Sequence, residues 1–407
     1  MATTVVAIFA VVYLGMILGG LPFLQLDRTG IALLGAIAIV ALGVLTPEEA
    51  ALAIHLPTLL LLFSFMVISA QMRLGGFYTR ITLRIAELRL SPPALLAAVI
   101  AAVGTLSAVF SNDVICLAIA PVLADACLAR RLDPVPYLLG LACAANVGSA
   151  ATLVGNPQNM LIGQVLGLSF LGYFLEAVVP VLLGLAASWG VIAWQTRGRW
   201  RTVLDDPPPE RRQDEAVYDR WQTAKGLAVA SALLAVFLFS DLPREVAALT
   251  GAGLLLMSRK LHSNKMLGLV DWGLLILFIG LFVVNHALAQ TGLTATAVQT
   301  LADAGVPLAE PGPLFVATLL LSNMVSNVPA VMLLLPAATA PFSGPMLALV
   351  STLAGNLFLV GSIANIIVVD AARRRGIAIG WRSHARTGVP VTLITLAITA
   401  AWFALRH

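Results

Sequence analysis

The chain has 407 residues, of which 59% are hydrophobic and 11% are charged, whereas soluble domains carry about 25% charged residues. The mean hydropathy is +0.95, and stretches long enough to cross a bilayer recur from residue 3 to residue 405. This composition excludes a soluble protein and indicates a polytopic membrane protein. The first stretch, 3–21, lacks the basic segment and cleavage site of a signal peptide and is predicted to span the membrane.

The net charge is +4, and its distribution carries more information than its sum. Basic residues resist translocation and mark cytoplasmic loops, so we interpret them as an orientation signal and not as a nucleic-acid-binding surface. This pattern predicts a bacterial inner-membrane protein with both termini on the outer, periplasmic side. The basic segments are Arg28, 73–89, 130–131, 197–225, 259–265 and 373–386.

The chain is predicted to cross the membrane about ten times, and two further segments are predicted to enter and leave on the same side. These re-entrant helical hairpins are 93–121 and 311–336; the alternative is that each is an ordinary pair of spans. Two hairpins place every arginine cluster on one side, whereas a single crossing at either position would put the later clusters on the other side. The predicted spans are 3–21, 29–45, 56–72, 136–165, 173–195, 222–240, 245–258, 268–290, 344–370 and 387–405.

The predicted fold is therefore an all-α polytopic membrane protein with two inverted-topology repeats, two re-entrant hairpins and two broken helices. The first repeat is 1–197, with a cytoplasm-facing hairpin, and the second is 222–407, with an outward-facing hairpin. A polar cytoplasmic linker, 198–221, joins them, because it contains a proline triplet and mixed charges. Segment 77–90 has its arginines on one face, which is typical of an interfacial helix.

Two sequence motifs occur once in each half. SNDVICLAIAP at 111–121 corresponds to SNVPAVMLLLP at 326–336, and LVGNPQNMLI at 153–162 corresponds to LVGSIANIIV at 359–368. Polar, glycine-rich and proline-rich segments inside apolar stretches are costly in lipid, because the freed backbone groups need partners. Such pairs in corresponding halves point to the binding site of a secondary transporter.

The Ser-Asn pairs are predicted to lie at the hairpin tips, where helix ends leave backbone groups unpaired and carry partial charges. Their side chains offer oxygens to a small cation or polar solute; the alternative role is helix capping alone. In the first broken span, Pro157 and Gly155 disfavour a continuous helix, whereas the second copy lacks the proline and glutamine. The first half is therefore predicted to supply more of the groups that coordinate the bound ion or solute.

Asp113 is the one carboxylate predicted at mid-membrane depth. A charged Asp at a helix centre costs about 2.5–3.5 kcal/mol on insertion scales, and such residues are functional by default. Burial favours the neutral form of a carboxyl group and a bound cation favours the charged form, so protonation would depend on ligand occupancy. The alternative is a structural hydrogen-bond acceptor.

Seventeen residues at the tips and breaks form the predicted site for ion or solute. They are Ser111, Asn112, Asp113, Asn146, Gly148, Ser149, Thr152, Gly155, Asn156, Asn159, Ser326, Asn327, Gly355, Asn356, Gly361, Ser362 and Asn365. No protein-bound metal is predicted, apart from the alternative of a sodium ion at the first tip and first break.

Other polar or reactive residues have simpler interpretations. The cysteines Cys116, Cys127 and Cys143 lack paired spacing, so small buried apolar side chains are expected. Asn285 and His286 are placed to face the second hairpin, with a structural hydrogen bond as the simpler role for the histidine. Asp370 is expected to pair with Arg373 at the surface, and Glu176 to lie at the interface.

These motifs resemble the ion transporter superfamily, which includes arsenite permeases, NhaD-type sodium/proton antiporters and sodium-coupled dicarboxylate and citrate carriers. The resemblance covers essentially the whole chain and implies a homodimer with a scaffold domain and a moving transport domain. Carriers of dicarboxylates have Ser-Asn-Thr at each tip; here the positions hold Ser-Asn-Asp at 111–113 and Ser-Asn-Val at 326–328. Asp113 and GNPQN at 155–159 resemble the bacterial branch near the arsenite permeases.

We therefore expect a secondary active transporter of a small inorganic solute and not an enzyme. The favoured hypothesis is efflux of arsenite or antimonite, without a cofactor, in exchange for protons carried by Asp113. The alternatives are symport of an oxyanion or carboxylate with sodium or protons, and sodium/proton antiport. Ligation of arsenic by cysteine thiolates, an intramembrane hydrolase and a channel are less favoured hypotheses. The sequence does not determine whether a soluble ATPase is a partner.

Overall fold

A computed structural model describes residues 1–20, 24–201 and 218–406. Within these ranges the chain is helical, and one isolated bridge, between Leu132 and Arg201, is the sole strand-like pairing. The predicted all-helical fold is thus confirmed. Most of the predicted linker lies outside the described residues.

Ten helices make up the first half of the described chain. They are α1 (Ala2–Leu18), α2 (Arg28–Ala41), α3 (Pro47–Ala53), α4 (Leu56–Leu74), α5 (Phe77–Glu87), α6 (Pro92–Val109), α7 (Asn112–Ala129), α8 (Pro134–Ser149), α9 (Pro157–Val165) and α10 (Phe170–Gln195).

Ten further helices make up the second half of the described chain, with 3₁₀ turns at Leu335–Ala337 and Leu359–Gly361. They are α11 (Arg220–Phe239), α12 (Arg244–Leu256), α13 (Ser263–Leu267), α14 (Trp272–Gln290), α15 (Leu293–Asp303), α16 (Pro311–Val325), α17 (Asn327–Leu334), α18 (Ser343–Ala354), α19 (Ile363–Arg373) and α20 (Trp381–Arg406).

Length and composition qualify seven of the described helices to cross a membrane, and five more are apolar but shorter. The shorter ones include α1 and α2, which end sooner than predicted. Local chemistry sets several of these boundaries: Asp27 caps α2, Asp271 caps α14, and a reciprocal Thr46–Glu49 capping box begins α3. The cap at Asp271 also explains why the predicted span 268–290 starts as a helix only at Trp272.

The two halves have the same order of helices and pack reciprocally. Helix α2 packs on α14, and its counterpart α12 packs on α4; α1 packs on α2 and α14, and α11 on α12 and α4. The last helices of the halves, α10 and α20, pack on each other. Each half therefore completes the other, which agrees with the internal repeat in the sequence.

Helices α6 and α7 form a hairpin that reverses at Phe110–Ser111. The guanidinium of Arg130, just after α7, donates to the carbonyl oxygens of Ala86 at 2.7 Å and Leu88 at 3.3 Å, just before α6. The two ends of the hairpin therefore lie together. In the second half, α16 and α17 meet at Ser326.

The predicted end of the first hairpin at residue 121 is wrong, because α7 continues to Ala129 through Pro121. A proline removes one backbone donor, but the leucines and alanines that follow it favour continued helix. In the second half the corresponding helix ends at Leu334, because Pro336 and Pro341 follow closely. The legs of the two hairpins therefore differ in length.

Candidate functional site

Both broken spans lie in the interior of the protein. Every residue of α8 from Pro136 to Ser149 is buried, and so is every residue of α18. Between α8 and α9 the chain leaves the helix, and Asn156 is extended, with its Oδ1 accepting from the backbone N–H of Asn159 at 2.9 Å. In the second break Ser362 is extended and caps α19 in the same way. Both breaks occur where the sequence predicts them.

Asn146 joins the two halves through four hydrogen bonds. Its Nδ2 donates to the Oδ1 atoms of Asn356 at 2.8 Å and Asn365 at 3.1 Å. Its Oδ1 accepts from Asn112 Nδ2 at 3.2 Å and from Ser362 Oγ at 2.9 Å. One buried side chain thus connects the first hairpin tip, α8 and the second break.

Thr352, on α18, forms a second connection between the halves. Its hydroxyl accepts from Asn156 Nδ2 at 3.1 Å and from Gln158 Nε2 at 3.2 Å, and lies 3.2 Å from Asn159 Oδ1, to which it donates. Asn156 Nδ2 also donates to Ser149 Oγ at 3.0 Å. Ser149 Oγ in turn donates to the carbonyl of Asn146 at 2.8 Å, so these bonds and those of Asn146 form one network, which we call the amide network. Its members are Asn112, Asn146, Ser149, Asn156, Gln158, Asn159, Thr352, Asn356, Ser362 and Asn365.

Each hairpin tip touches the break of its own half. The backbone N–H of Asn112 donates to the carbonyl of Gly155 at 3.2 Å, and Thr152 Oγ1 donates to the carbonyl of Ala108 in α6. In the second half, a Cβ added at Gly355 would lie 3.3 Å from Asn327 Nδ2. The tips and breaks therefore form one centre.

The two serines at the tips do not cap their helices through their side chains. Ser326 has φ 77 and ψ 160, a conformation that costs a residue other than glycine about 1–3 kcal/mol. Such strain is typical of functional sites. Capping alone therefore does not explain the Ser-Asn pairs.

Several buried polar atoms at the tips and breaks have no hydrogen-bond partner among the described residues. They are the Oδ1 atoms of Asn112, Asn323 and Asn327, the Nδ2 of Asn356 and the Oγ of Ser322. An unpaired buried donor or acceptor costs about 1–3 kcal/mol, so these atoms are the ones from which a bound solute would gain most. Oxygen acceptors outnumber donors, which suits a solute rich in O–H groups or a small cation.

Asp113 lies half-buried in the first turn of α7, beside Asn112. Within the described part of the chain its carboxylate makes no hydrogen bond or ion pair, so its acceptor capacity is available. A helix N-terminus favours negative charge. The carboxylate thus lies at the tip without an ion pair to a basic side chain of the described residues.

Four further residues of the site were not predicted from the sequence. Gln158 and Thr352 belong to the amide network, and Thr352 lies in the last turn of α18, which ends at Ala354 just before Asn356. Tyr173 accepts from Asn159 Nδ2 at 3.1 Å, and His384 Nε2 lies 3.1 Å from the carbonyl oxygen of Asn356. Gln158 lies within the GNPQN motif, whereas Thr352, Tyr173 and His384 carry no motif.

The less favoured residues have separate contacts. Asn285 faces the second hairpin, with Nδ2 3.7 Å from Met332 Sδ, whereas His286 bonds to Gln290. Asp370 pairs with Arg374 at 2.8 Å and not with Arg373, because a spacing of four residues aligns them on one helix face.

Glu176 pairs with Arg406 at 3.3 Å. The three cysteines are buried free thiols, and no group of three metal-ligating side chains occurs in the described ranges.

Glycine is required where the breaks pack most closely. A Cβ at Gly155 would overlap the backbone of Ser149, and one at Gly148 would overlap the backbone of Gly104. We expect Gly155→Ala to destabilise the protein by about 1–3 kcal/mol through overpacking, measured as a lower Tm in detergent. Gly190→Ala is the control, because no atom lies within 4 Å of the added Cβ. Equal Tm values for the two variants would contradict the close packing.

Comparison with known proteins agrees with this architecture. The family model described as citrate transporter (CitMHS) matches residues 5–354. The silicon efflux transporter LSI3 of Oryza sativa subsp. japonica is 29% identical, over 96% of this chain and 95% of that protein. A Dictyostelium discoideum transporter named arsB is 23% identical, over 92% of this chain and 87% of that protein.

The structural comparison supports the same fold. The crystal structure of the Alcanivorax borkumensis YdaH transporter superimposes with a TM-score of 0.53 and 14% identity, and the match covers 98% of this chain and 96% of that one. The resemblance to the ion transporter superfamily is thereby confirmed. The chain belongs to the CitMHS citrate transporter family and is a multi-pass membrane transporter, not an enzyme.

Proposed function

We propose that this transporter exports a small neutral inorganic hydroxide, arsenite or antimonite, in exchange for protons. The observation that carries the proposal is the amide network, which joins both halves through amides and hydroxyls and includes Asn112, the residue before Asp113 in the first turn of α7. Arsenite and antimonite are neutral hydroxides at neutral pH. Orthosilicic acid has the same chemistry, and the relative named for silicon efflux adds it to the candidates.

The unpaired atoms support binding of such a solute. The Oδ1 atoms of Asn112 and Asn327 can accept hydrogen bonds from the O–H groups of the neutral solute. Asn356 Nδ2 can donate to one of the solute's oxygens. A neutral solute needs no counter-charge, and it avoids the cost of burying an ion. Binding of this kind is selective for shape and for the pattern of O–H groups.

Asp113 supports coupling to protons. An ionised carboxylate accepts a hydrogen bond from a bound hydroxide, and bonds of this charge-assisted kind are the stronger ones. Protonation removes the negative charge that strengthens this bond and so weakens solute binding, and proton and solute therefore compete for Asp113. Competition at one site is the requirement for exchange transport.

The basic segments support a specific orientation. We propose two repeats of opposite orientation, 1–197 and 222–407, with the first hairpin open to the cytoplasm and the second to the outside of a bacterial inner membrane. Both termini then lie outside. We also propose, from the family resemblance, that the transporter acts as a homodimer.

The second candidate is symport of a carboxylate or oxyanion with sodium or protons, which the citrate description of the family favours. A bound carboxylate needs positive charge, and the amide network consists of neutral side chains, so helix N-termini would have to supply it. Sodium/proton antiport, with the ion at the first tip and first break, uses the same oxygens. Sodium dependence distinguishes these candidates from the first.

Solute flux in proteoliposomes tests the proposal. We expect an imposed proton gradient, and not a sodium gradient, to drive saturable uptake of arsenite, antimonite or silicic acid into vesicles, with protons moving the opposite way. Citrate, succinate and phosphate are the comparison solutes. Sodium-driven uptake of citrate without any flux of the hydroxides would overturn the proposal in favour of the symport candidate.

A further inference from the structure

A polar cavity lies away from the amide network, where α8 begins, α10 ends and α20 begins. Its volume is about 180 Å³, and its polar lining includes Asp133, Gln195, Arg199, Arg386 and Thr387. Two guanidinium groups and one carboxylate give it a net charge of +1. Nothing in the proposed transport cycle uses this cavity.

Hydrogen bonds fix the walls of the cavity. Gln195 Nε2 donates to the carbonyl of Arg386 at 2.7 Å, and Thr387 Oγ1 donates to Gln195 Oε1 at 2.9 Å. Arg199 donates one of its five N–H groups to the carbonyl of Gln195 at 2.6 Å, and the backbone N–H of Asp133 donates to the carbonyl of Trp200 at 3.0 Å. These bonds tie the end of α10 and the residues after it to the start of α20 and to the residue before α8, which fixes the backbone around both arginines.

Two tryptophans indicate that the cavity lies at the depth of the lipid headgroups. Trp194 and Trp381, at the ends of the two helices that frame it, are each 70% exposed. Exposed tryptophans at helix ends are typical of the membrane–water interface. Basic cavities between membrane helices at this depth are suited to lipid headgroups.

We propose that this cavity binds the phosphate group of a membrane phospholipid. Arginine binds phosphate through paired N–H groups, and Arg199 and Arg386 supply two such forks. The net charge of +1 matches the single negative charge of a phosphodiester, whereas free inorganic phosphate is a mixture of singly and doubly charged forms at neutral pH. The match in charge and the depth of the cavity both favour the lipid as the source of the phosphate.

Lipid binding here has a consequence for the site. The lipid bridges α10 and α20, and α20 carries His384, whose Nε2 lies 3.1 Å from the carbonyl of Asn356 in the second break. Gly388, one turn further along α20, is required because a Cβ there would overlap the same carbonyl. A headgroup that holds the start of α20 therefore supports the position of the second break.

The experiment measures phospholipid retained by the purified full-length protein, by native mass spectrometry after delipidation and addition of phosphatidylethanolamine or phosphatidylglycerol. We expect the double variant Arg199→Gln, Arg386→Gln to retain about tenfold less lipid, because charge-assisted hydrogen bonds are lost. Arg382→Gln is the matched control, since Arg382 lies on the same helix but stacks on Trp381.

Competition distinguishes the two sources of phosphate. We expect millimolar inorganic phosphate to leave lipid retention unchanged. Equal retention by the double variant and the Arg382→Gln control would overturn the proposal. Displacement of the lipid by inorganic phosphate in the unaltered protein would also overturn it and would indicate a site for the free anion. Thermal unfolding of each variant shows that it is folded.

Discussion

Replacement of Asp113 by Asn is expected to uncouple solute flux from the proton gradient. Asparagine has nearly the same shape as aspartate but does not titrate, so the tip keeps its packing and loses proton exchange. The variant also loses the charge-assisted acceptor for a hydroxide, and we expect flux driven by a proton gradient to fall about tenfold or more. The measurement is solute uptake into proteoliposomes with and without an imposed pH difference.

The matched control for this experiment is Asp370→Asn. Asp370 forms an exposed ion pair with Arg374 and is not part of the proposed site. Its loss is expected to leave coupled flux unchanged. Proton-driven flux by Asp113→Asn at the level of the control would remove Asp113 from the coupling mechanism. It would leave the solute site at the amide network standing.

Asn146→Leu is expected to have the largest effect on stability. The change keeps the branching of the side chain but removes four hydrogen bonds and leaves groups of Asn112, Ser362, Asn356 and Asn365 unpaired. Each unpaired buried group costs about 1–3 kcal/mol, so we expect a loss of about 3 kcal/mol or more and abolished transport. Thermal unfolding in detergent and proteoliposome flux measure the two effects.

A surface asparagine provides the comparison for Asn146→Leu. Asn264, on the short helix α13, is exposed, and Asn264→Leu is expected to change the Tm little. If Asn146→Leu unfolded at the same temperature as Asn264→Leu and still transported solute, the amide network would not join the two halves.

The sequence predicts the breaks and tips well because local chemistry determines them. Pro157 and Gly155 disfavour a continuous helix whatever the tertiary surroundings. The repeated motif in the second half marks the corresponding positions. Apolar length likewise predicts most of the helices. These features depend on neighbours along the chain.

Contacts between the halves are less accessible to sequence reasoning. The bonds of Asn146 to Asn356 and Asn365 span 210 and 219 residues, and no local pattern specifies which amide meets which. His384 reaches Asn356 only because α20 packs beside the second break. The extra length of α7 beyond Pro121 depends on packing as well, since one proline does not end a helix whose following residues favour it.

The most direct test of a shared site is a structure determined with antimonite bound, because antimony scatters strongly enough to be located without ambiguity. We predict a single antimony peak within hydrogen-bonding reach of Asn112 Oδ1 and Asn356 Nδ2, between the first hairpin tip and the second break. A peak against the thiol of Cys116, or two hairpin tips lying apart without antimony between them, would contradict a solute site built from both halves.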